Sequence, residues 1–214
     1  MNNKVQQYYC ERINKNESNN FLWQVGKTVN GKVVSEDHLE IIIKTIINRL
    51  KLNKNDNLLD VGCGNGLLTK KIAEYVFSAT GVELTPELFE IANKYNLGNN
   101  IRYINDNILK FDEKDTKKYS KVYLYEVIQH LNYQEANELF YKLNEITVSN
   151  ATIFIGGVLD VEKKWEFFDS EERRGVYFTS LLSGGSSLGT WYYKGFFKFL
   201  AEKHGFYVDL WNCT

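Results

Sequence analysis

Residues 58–69 read Leu58-Leu-Asp60-Val-Gly62-Cys-Gly64-Asn-Gly66-Leu-Leu-Thr69: an apolar run, an acid, three alternating glycines and a helical start. The pattern predicts a strand over 57–61 that turns through a glycine loop into a helix over 67–75. Glycines at such a turn permit tight backbone conformations and let a ligand approach the main chain closely. A dinucleotide needs the form GxGxxG, with its pyrophosphate on the helix N-terminus. Here the third glycine comes one residue early, and Leu67 fills the expected slot. Asp60 stands two residues ahead of Gly62, where it would face a pyrophosphate unfavourably but suits a ligand carrying an ammonium group. The loop favours a cationic, amino-acid-like ligand over a nicotinamide dinucleotide.

Outward from this loop, strands and helices alternate. Ser35-Glu-Asp-His38 has the form of a helix start, with Ser35 as cap and acids in the first turn. Leu39, Ile42, Ile43, Ile46, Ile47 and Leu50 follow at helical spacing, which makes one face apolar. Strands are expected over 78–83, 101–105, 119–127, 151–157 and 206–211, and helices over 86–95, 133–148 and 195–204. This rhythm predicts an α/β fold: a doubly wound, mostly parallel sheet with helices on both faces, in three layers.

The composition narrows the function. A chain of 214 residues with 43% apolar and 14% aromatic content is read as a single domain. Its net charge of −1 and lack of a basic stripe argue against a binder of bare nucleic acid or anionic membrane. No apolar run approaches the ~20 residues that span a bilayer. The opening residues carry no apolar core of a secretory signal. Cys10, Cys63 and Cys213 form no CxxC pair and no disulfide framework, so a cytoplasmic setting is expected, without a metal site.

Three further stretches stand at the ends of predicted strands. Glu83 lies 21 residues beyond Gly62, where a carboxylate can accept from both ribose hydroxyls. Asn105-Asp106-Asn107-Ile108 follows the next strand, and Tyr125-Glu126-Val-Ile-Gln-His130-Leu the one after. The order D-x-G-x-G-x-G, G-V-E-L-T-P-E-L, N-D-N-I, Y-E-V-I-Q-H-L resembles the class I S-adenosylmethionine (SAM)-dependent methyltransferases over roughly residue 50 onward. The segment Gln24-Val-Gly-Lys27-Thr28-Val-Asn-Gly-Lys32, joined to the glycine loop, further resembles small-molecule methyltransferases of bacterial surface-polysaccharide gene clusters.

That resemblance implies SAM as cofactor and S-adenosylhomocysteine (SAH) as product. It implies that Gly62, Cys63, Gly64, Asn65 and Gly66 surround the methionine portion, with Asp60 acting directly or through water. It gives Glu83 to the ribose, Leu84 to adenine packing, Asp106 and its neighbour Asn107 to the adenine amino group, Ile108 to the other adenine face, and Glu126 to the methionine end. Residues 1–50 become an N-terminal lid and helix, 51–158 the cofactor core, 159–194 an acceptor-facing insertion, and 195–214 a last helix and strand. Such a fold normally adds a final antiparallel strand, which is missing here. Either the chain is truncated, a partner completes the edge, or 206–211 is misplaced.

Each residue also has a plainer reading. Cys63 reads as a packing residue rather than a nucleophile. Lys27, with Thr28 in the lid, either pairs with the methionine carboxylate or an anionic substrate, or is a solvated lysine. Tyr8 and Tyr9 either close the pocket or anchor the N-terminal helix. His130 is the first candidate for a base that takes a proton from a hydroxyl; otherwise it caps or packs. Asp160 is the second candidate. The aromatics Trp165, Phe167, Phe168, Tyr177, Phe178, Trp191, Tyr192 and Tyr193 suit either a sugar-like acceptor or plain packing, and 183–189 reads as a mobile loop.

The expected activity is O-methylation of a small polar or sugar-type metabolite, by a monomer or homodimer that binds no nucleic acid and inserts in no membrane. A nucleic-acid amino-methyltransferase would carry an Asn/Asp-Pro-Pro-aromatic motif where Tyr125-Glu-Val-Ile stands. Small-molecule N-methylation remains open, and a nicotinamide oxidoreductase is the distant alternative.

Overall fold

In a computed structural model, which describes residues 3–14, 20–29, 31–112, 119–183 and 188–211, the chain forms two compact units. The first comprises Met1–Tyr125 and Ile146–Gly156; the second comprises Glu126–Glu145 and Gly157–Thr214.

The first unit opens with helices α1 (Asn3–Asn14) and α2 (Phe21–Gln24), then a two-stranded antiparallel ribbon of β1 (Thr28–Val29) and β2 (Lys32–Val33). Helix α3 (Glu36–Leu50) starts as its sequence dictates: the Ser35 hydroxyl accepts from the His38 amide at 3.2 Å, with Glu36 and Asp37 in the first turn. Strands β3 (Asn57–Val61), β4 (Ser78–Glu83), β5 (Ile101–Asn105), β6 (Tyr119–Tyr125) and β7 (Thr147–Gly156) pair in the order β5-β4-β3-β6-β7, every pairing parallel. Helices α4 (Leu67–Ala73) and α5 (Pro86–Tyr95) are the crossovers from β3 to β4 and from β4 to β5. Leu39, Ile42, Ile43, Ile46 and Leu50 of α3 bury one apolar stripe against Leu58, Ile72, Ala79, Tyr123 and Phe154, the burial that holds this half together. The strand order reverses at β3, which makes the carboxyl ends of β3 and β6 the switch point where Rossmann-like sheets receive ligands.

The second unit contains a 3-10 turn (Ile128–His130), helix α6 (Tyr133–Ile146) up to Glu145, a second 3-10 turn (Val161–Lys163), α7 (Lys164–Phe167), α8 (Glu171–Leu182) and α9 (Lys194–Lys203). Aromatic rings make much of its packing. Phe168 and Tyr177 lie 4.7 Å apart, and Tyr192 stacks on Phe196 at 5.7 Å with planes 9° apart.

Three expectations need correction. Residues 206–211 form no strand: after Gly205 turns left-handed (φ 77°), the Phe206 amide closes α9 on the Ala201 carbonyl. Tyr207 beyond it is 98% exposed. The alternation there reflects local propensity without a neighbouring strand to satisfy it. Strand β7 begins at Thr147 rather than 151, because β-branched Thr147 and Val148 leave the helix early. Strand β6 ends at Tyr125, where Glu126 adopts φ 58° and breaks the extended run. The Gly/Ser segment read as a mobile loop lies for the most part outside the described residues, as does Cys213.

Candidate functional site

In the first unit the glycine loop leaves β3 with Gly62, Gly64 and Gly66 all at positive φ, a conformation that side chains other than glycine rarely adopt. Two carboxylates brace it. Glu83, at the tip of β4 and 7% exposed, accepts from the Gly64 amide at 2.9 Å and the Thr85 amide at 2.7 Å. Asp60, 2% exposed, accepts on Oδ2 from the Thr69 hydroxyl at 2.5 Å and from the Tyr123 hydroxyl. Burial pushes the Asp60 carboxyl up to about 7, the Glu83 charge adds to this, and the Thr69 and Tyr123 hydroxyls oppose it. Burial also raises Glu83, against the amides of Thr85 and Gly64, and holds the Cys63 thiol well above its ordinary value. Cys63 is therefore a protonated packing group whose sulfur faces Gly81.

The other predicted cofactor residues fall around the same strand ends. The Leu84 carbonyl accepts from Gln6 Nε2 at 3.0 Å, which ties α1 to the end of β4. Asp106 is half-buried and its carboxylate accepts from the Asn107 amide; Asn107 in turn caps the Leu109 amide, and Ile108 is buried. The Asn65 side chain is committed to protein contacts, donating to the Phe21 carbonyl (2.8 Å) and Gln24 Oε1 (2.9 Å). With Val25 against Gly64, this seats the N-terminal segment on the glycine loop. Lys27 is 7% exposed, with Nζ 4.2 Å from the centre of the Tyr125 ring, so it is no solvated lysine. Thr28 opens β1.

Sequence reading missed Thr69 and Tyr123, and also a donor pair in this segment. Arg12 stacks over Trp23 at 4.2 Å; its Nη2 and the Trp23 indole Nε1 are buried without hydrogen-bond partners. Nothing in the residue pattern flags Arg12. Tyr8 serves as its anchor, accepting from Nη1 at 3.0 Å.

In the second unit, Glu126 and His130 share the turn that follows β6. Burial lowers the His130 imidazole below its ordinary value, and the nearby Glu126 charge works against that shift. Asp160 is engaged on both oxygens: Oδ1 caps the Glu162 amide at 3.0 Å and Oδ2 pairs with Lys194 at 3.0 Å. Among the insertion aromatics, Phe168, Tyr177 and Tyr192 are buried, whereas Trp165, Phe167, Phe178 and Tyr193 are exposed.

The buried Asp60 carboxyl gives the first unit a measurable pH response. Its folded pKa lies above the 3.8 of an ordinary aspartate, so the folded chain retains a proton that the unfolded chain has lost. The stability this contributes is full below about 3.8 and is lost as pH rises through about 7. By linkage it amounts to ~4 kcal/mol. Asp60→Asn, which accepts from the same hydroxyls without ionising, should flatten that decline. Urea unfolding at pH 5 and pH 8 measures it, and equal slopes for both proteins would discount the burial effect.

Comparison with known proteins agrees with this architecture. The family model described as ribosomal RNA adenine dimethylase matches residues 38–156, more than half of the chain. The chain is 32% identical over 105 residues to ribosomal RNA small subunit methyltransferase A of Malacoplasma penetrans, covering 49% of this chain and 36% of that protein. It is 33% identical over 97 residues to a ubiquinone biosynthesis O-methyltransferase of Rickettsia typhi, covering 42% and 39%. The chain thus spans little more than a third of these relatives' length. Magnesium protoporphyrin IX methyltransferase from Synechocystis, crystallised with SAH, shares the fold at TM-score 0.63 and 14% identity, over 95% of this chain and 85% of that one. Together with the parallel sheet and glycine loop, the match establishes that the chain belongs to the ribosomal RNA adenine dimethylase family of SAM-dependent methyltransferases.

Proposed function

We propose that this chain uses SAM to methylate a hydroxyl of a small polar or sugar-type acceptor, in bacterial surface-polysaccharide biosynthesis. The observation that carries the cofactor assignment is the pair of buried carboxylates, Asp60 and Glu83, that flank the glycine loop. Such a loop repels a pyrophosphate and suits a ligand with an ammonium group and a ribose diol. Glu83 would accept from the diol, Asp60 would face the ammonium, and Leu84, Asp106, Asn107 and Ile108 would hold the adenine. The orphaned donors of Arg12 and Trp23, with Lys27, suit a carboxylate. When bound, SAM supplies an electrophilic methyl group on a sulfonium.

The rest of the work falls to the chain's own residues. Burial holds His130 toward its neutral form at pH 7, the form that can take a proton from an acceptor hydroxyl. Asp160, already shared between Lys194 and the Glu162 amide, is the second candidate. His130→Ala should lower kcat by ~10²–10⁴-fold while SAH affinity stays within a factor of about two. Unchanged turnover would remove His130 as the base.

A small acceptor is supported by the near-zero net charge and by Tyr125-Glu-Val-Ile standing where an amino-methyltransferase motif would lie. The family match favours a second reading, N6-methylation of adenine in RNA. Methyl release from labelled SAM separates the two: transfer to hydroxyl acceptors supports the first, and transfer to ribosomal RNA fragments alone supports the second.

A further inference from the structure

The turn that carries His130 is bonded to a short segment, 189–194. Its 3-10 bonds are ordinary: the His130 amide donates to the Val127 carbonyl (2.9 Å) and the Leu131 amide to the Ile128 carbonyl (3.0 Å). Three carbonyls of the turn, those of Ile128, Gln129 and Leu131, also accept from the segment. The Gln129 carbonyl accepts from the Thr190 amide at 2.7 Å. The Tyr192 hydroxyl lies 2.6 Å from the Leu131 carbonyl and 3.2 Å from that of Ile128, so its single proton spans the two ends of the turn. Gly189 permits the approach: at φ 117°, a Cβ there would sit 2.3 Å from the Gln129 carbonyl oxygen.

The same tyrosine also fastens the Asp160 loop. Its amide donates to the Leu159 carbonyl (2.7 Å), its carbonyl accepts from the Val161 amide (3.0 Å), and Lys194, two residues on, pairs with Asp160. Tyr192 is fully buried, 0% exposed, stacked on Phe196 and 5.2 Å from Phe197. Burial raises its phenol well above the ordinary value, so it stays a donor at any physiological pH. Within the turn it holds, Gln129 Oε1 is, among the described residues of this unit, the buried side-chain acceptor left without a donor.

We infer that Tyr192 is a positioning residue, which sets the orientation of His130 and joins the two loops that carry the base candidates. The inference rests on the reading of His130 as the base, and Gln129 Oε1 beside it would accept a hydrogen bond from an acceptor bearing a second donor.

Tyr192→Phe keeps the ring and removes only the hydroxyl; Phe196→Leu weakens the stack and leaves the hydroxyl. Both are compared in the full chain by the NMR titration of the His130 imidazole, which needs no acceptor. In Tyr192→Phe the turn loosens, water reaches the ring, and the titration should move up toward 6.5. With a hydroxyl acceptor that turns over, kcat should fall by ~10-fold and KM by less than about 3-fold. Phe196→Leu should lower the unfolding midpoint and leave the titration in place. An unmoved His130 in Tyr192→Phe, or an equal shift in both variants, overturns the assignment. Failure of the wild-type chain to bind SAH would sink the methyltransferase reading instead, and the titration does not depend on it.

Discussion

Glu83→Ala should abolish useful cofactor binding, raising the dissociation constant for SAH by about 100-fold or more. Two hydrogen bonds to a charged acceptor, each worth ~1.5–3 kcal/mol, correspond to at least that factor. On the proposed reading the side chain does two jobs that fail together: it would accept from a ribose diol, and it fixes the loop by accepting from the Gly64 and Thr85 amides. Without it those amides lose their acceptor, at ~1–3 kcal/mol for each one left buried and unpaired. Glu83→Gln separates the jobs, since one amide oxygen still accepts from Gly64. It should bind SAH more weakly than wild type and more tightly than Glu83→Ala. Calorimetric titration measures the affinities and urea unfolding the stability. SAH affinity in Glu83→Ala within threefold of wild type would remove Glu83 from the ribose.

The second large effect is on folding. Gly66 caps α4 at φ 77°, and a Cβ there would lie 2.4 Å from the Tyr103 hydroxyl oxygen, 2.7 Å from its ring carbon and 3.1 Å from Ala92. Tyr103 cannot yield cheaply, because it is buried and its hydroxyl donates to the Asn96 carbonyl at 2.8 Å. Gly66→Ala therefore combines left-handed strain of ~1–2 kcal/mol with loss of a buried hydrogen bond worth ~1–3 kcal/mol. A total of ~3–4 kcal/mol lowers Tm by roughly 6–15 °C for a chain of this size. Repeating the substitution in a Tyr103→Phe background removes the nearest clashing atom, so the increment should shrink. An undiminished increment would place the cost in the backbone alone.

Why the glycines and acids could be read from sequence, and their partners could not, follows from range. Gly62, Gly64, Gly66 and Asp60 sit within one βα turn, where spacing alone sets geometry, and Glu83 ends the adjacent strand of the same βαβ unit. All five strands of the parallel sheet were legible, three of them to the residue, because parallel crossovers give each a regular place. By contrast, Tyr123 reaches Asp60 across 63 residues and Tyr192 reaches Leu131 across 61, and no local pattern encodes such contacts. The segment after α9 misleads for the opposite reason. Phe206, Val208 and Leu210 alternate as a strand would, but pairing is a property of the neighbour, and among the described residues no strand pairs with this segment. Helix α8 was hidden within an aromatic stretch that resembles a pocket lining more than an amphipathic face.

The most direct test of the cofactor assignment is calorimetric titration of the intact chain with SAH and, separately, with NAD. Saturable binding of SAH at a single site, with no heat from NAD, is the expected result. Binding of NAD without SAH would contradict the reading of the glycine loop, Asp60 and Glu83 as a SAM site.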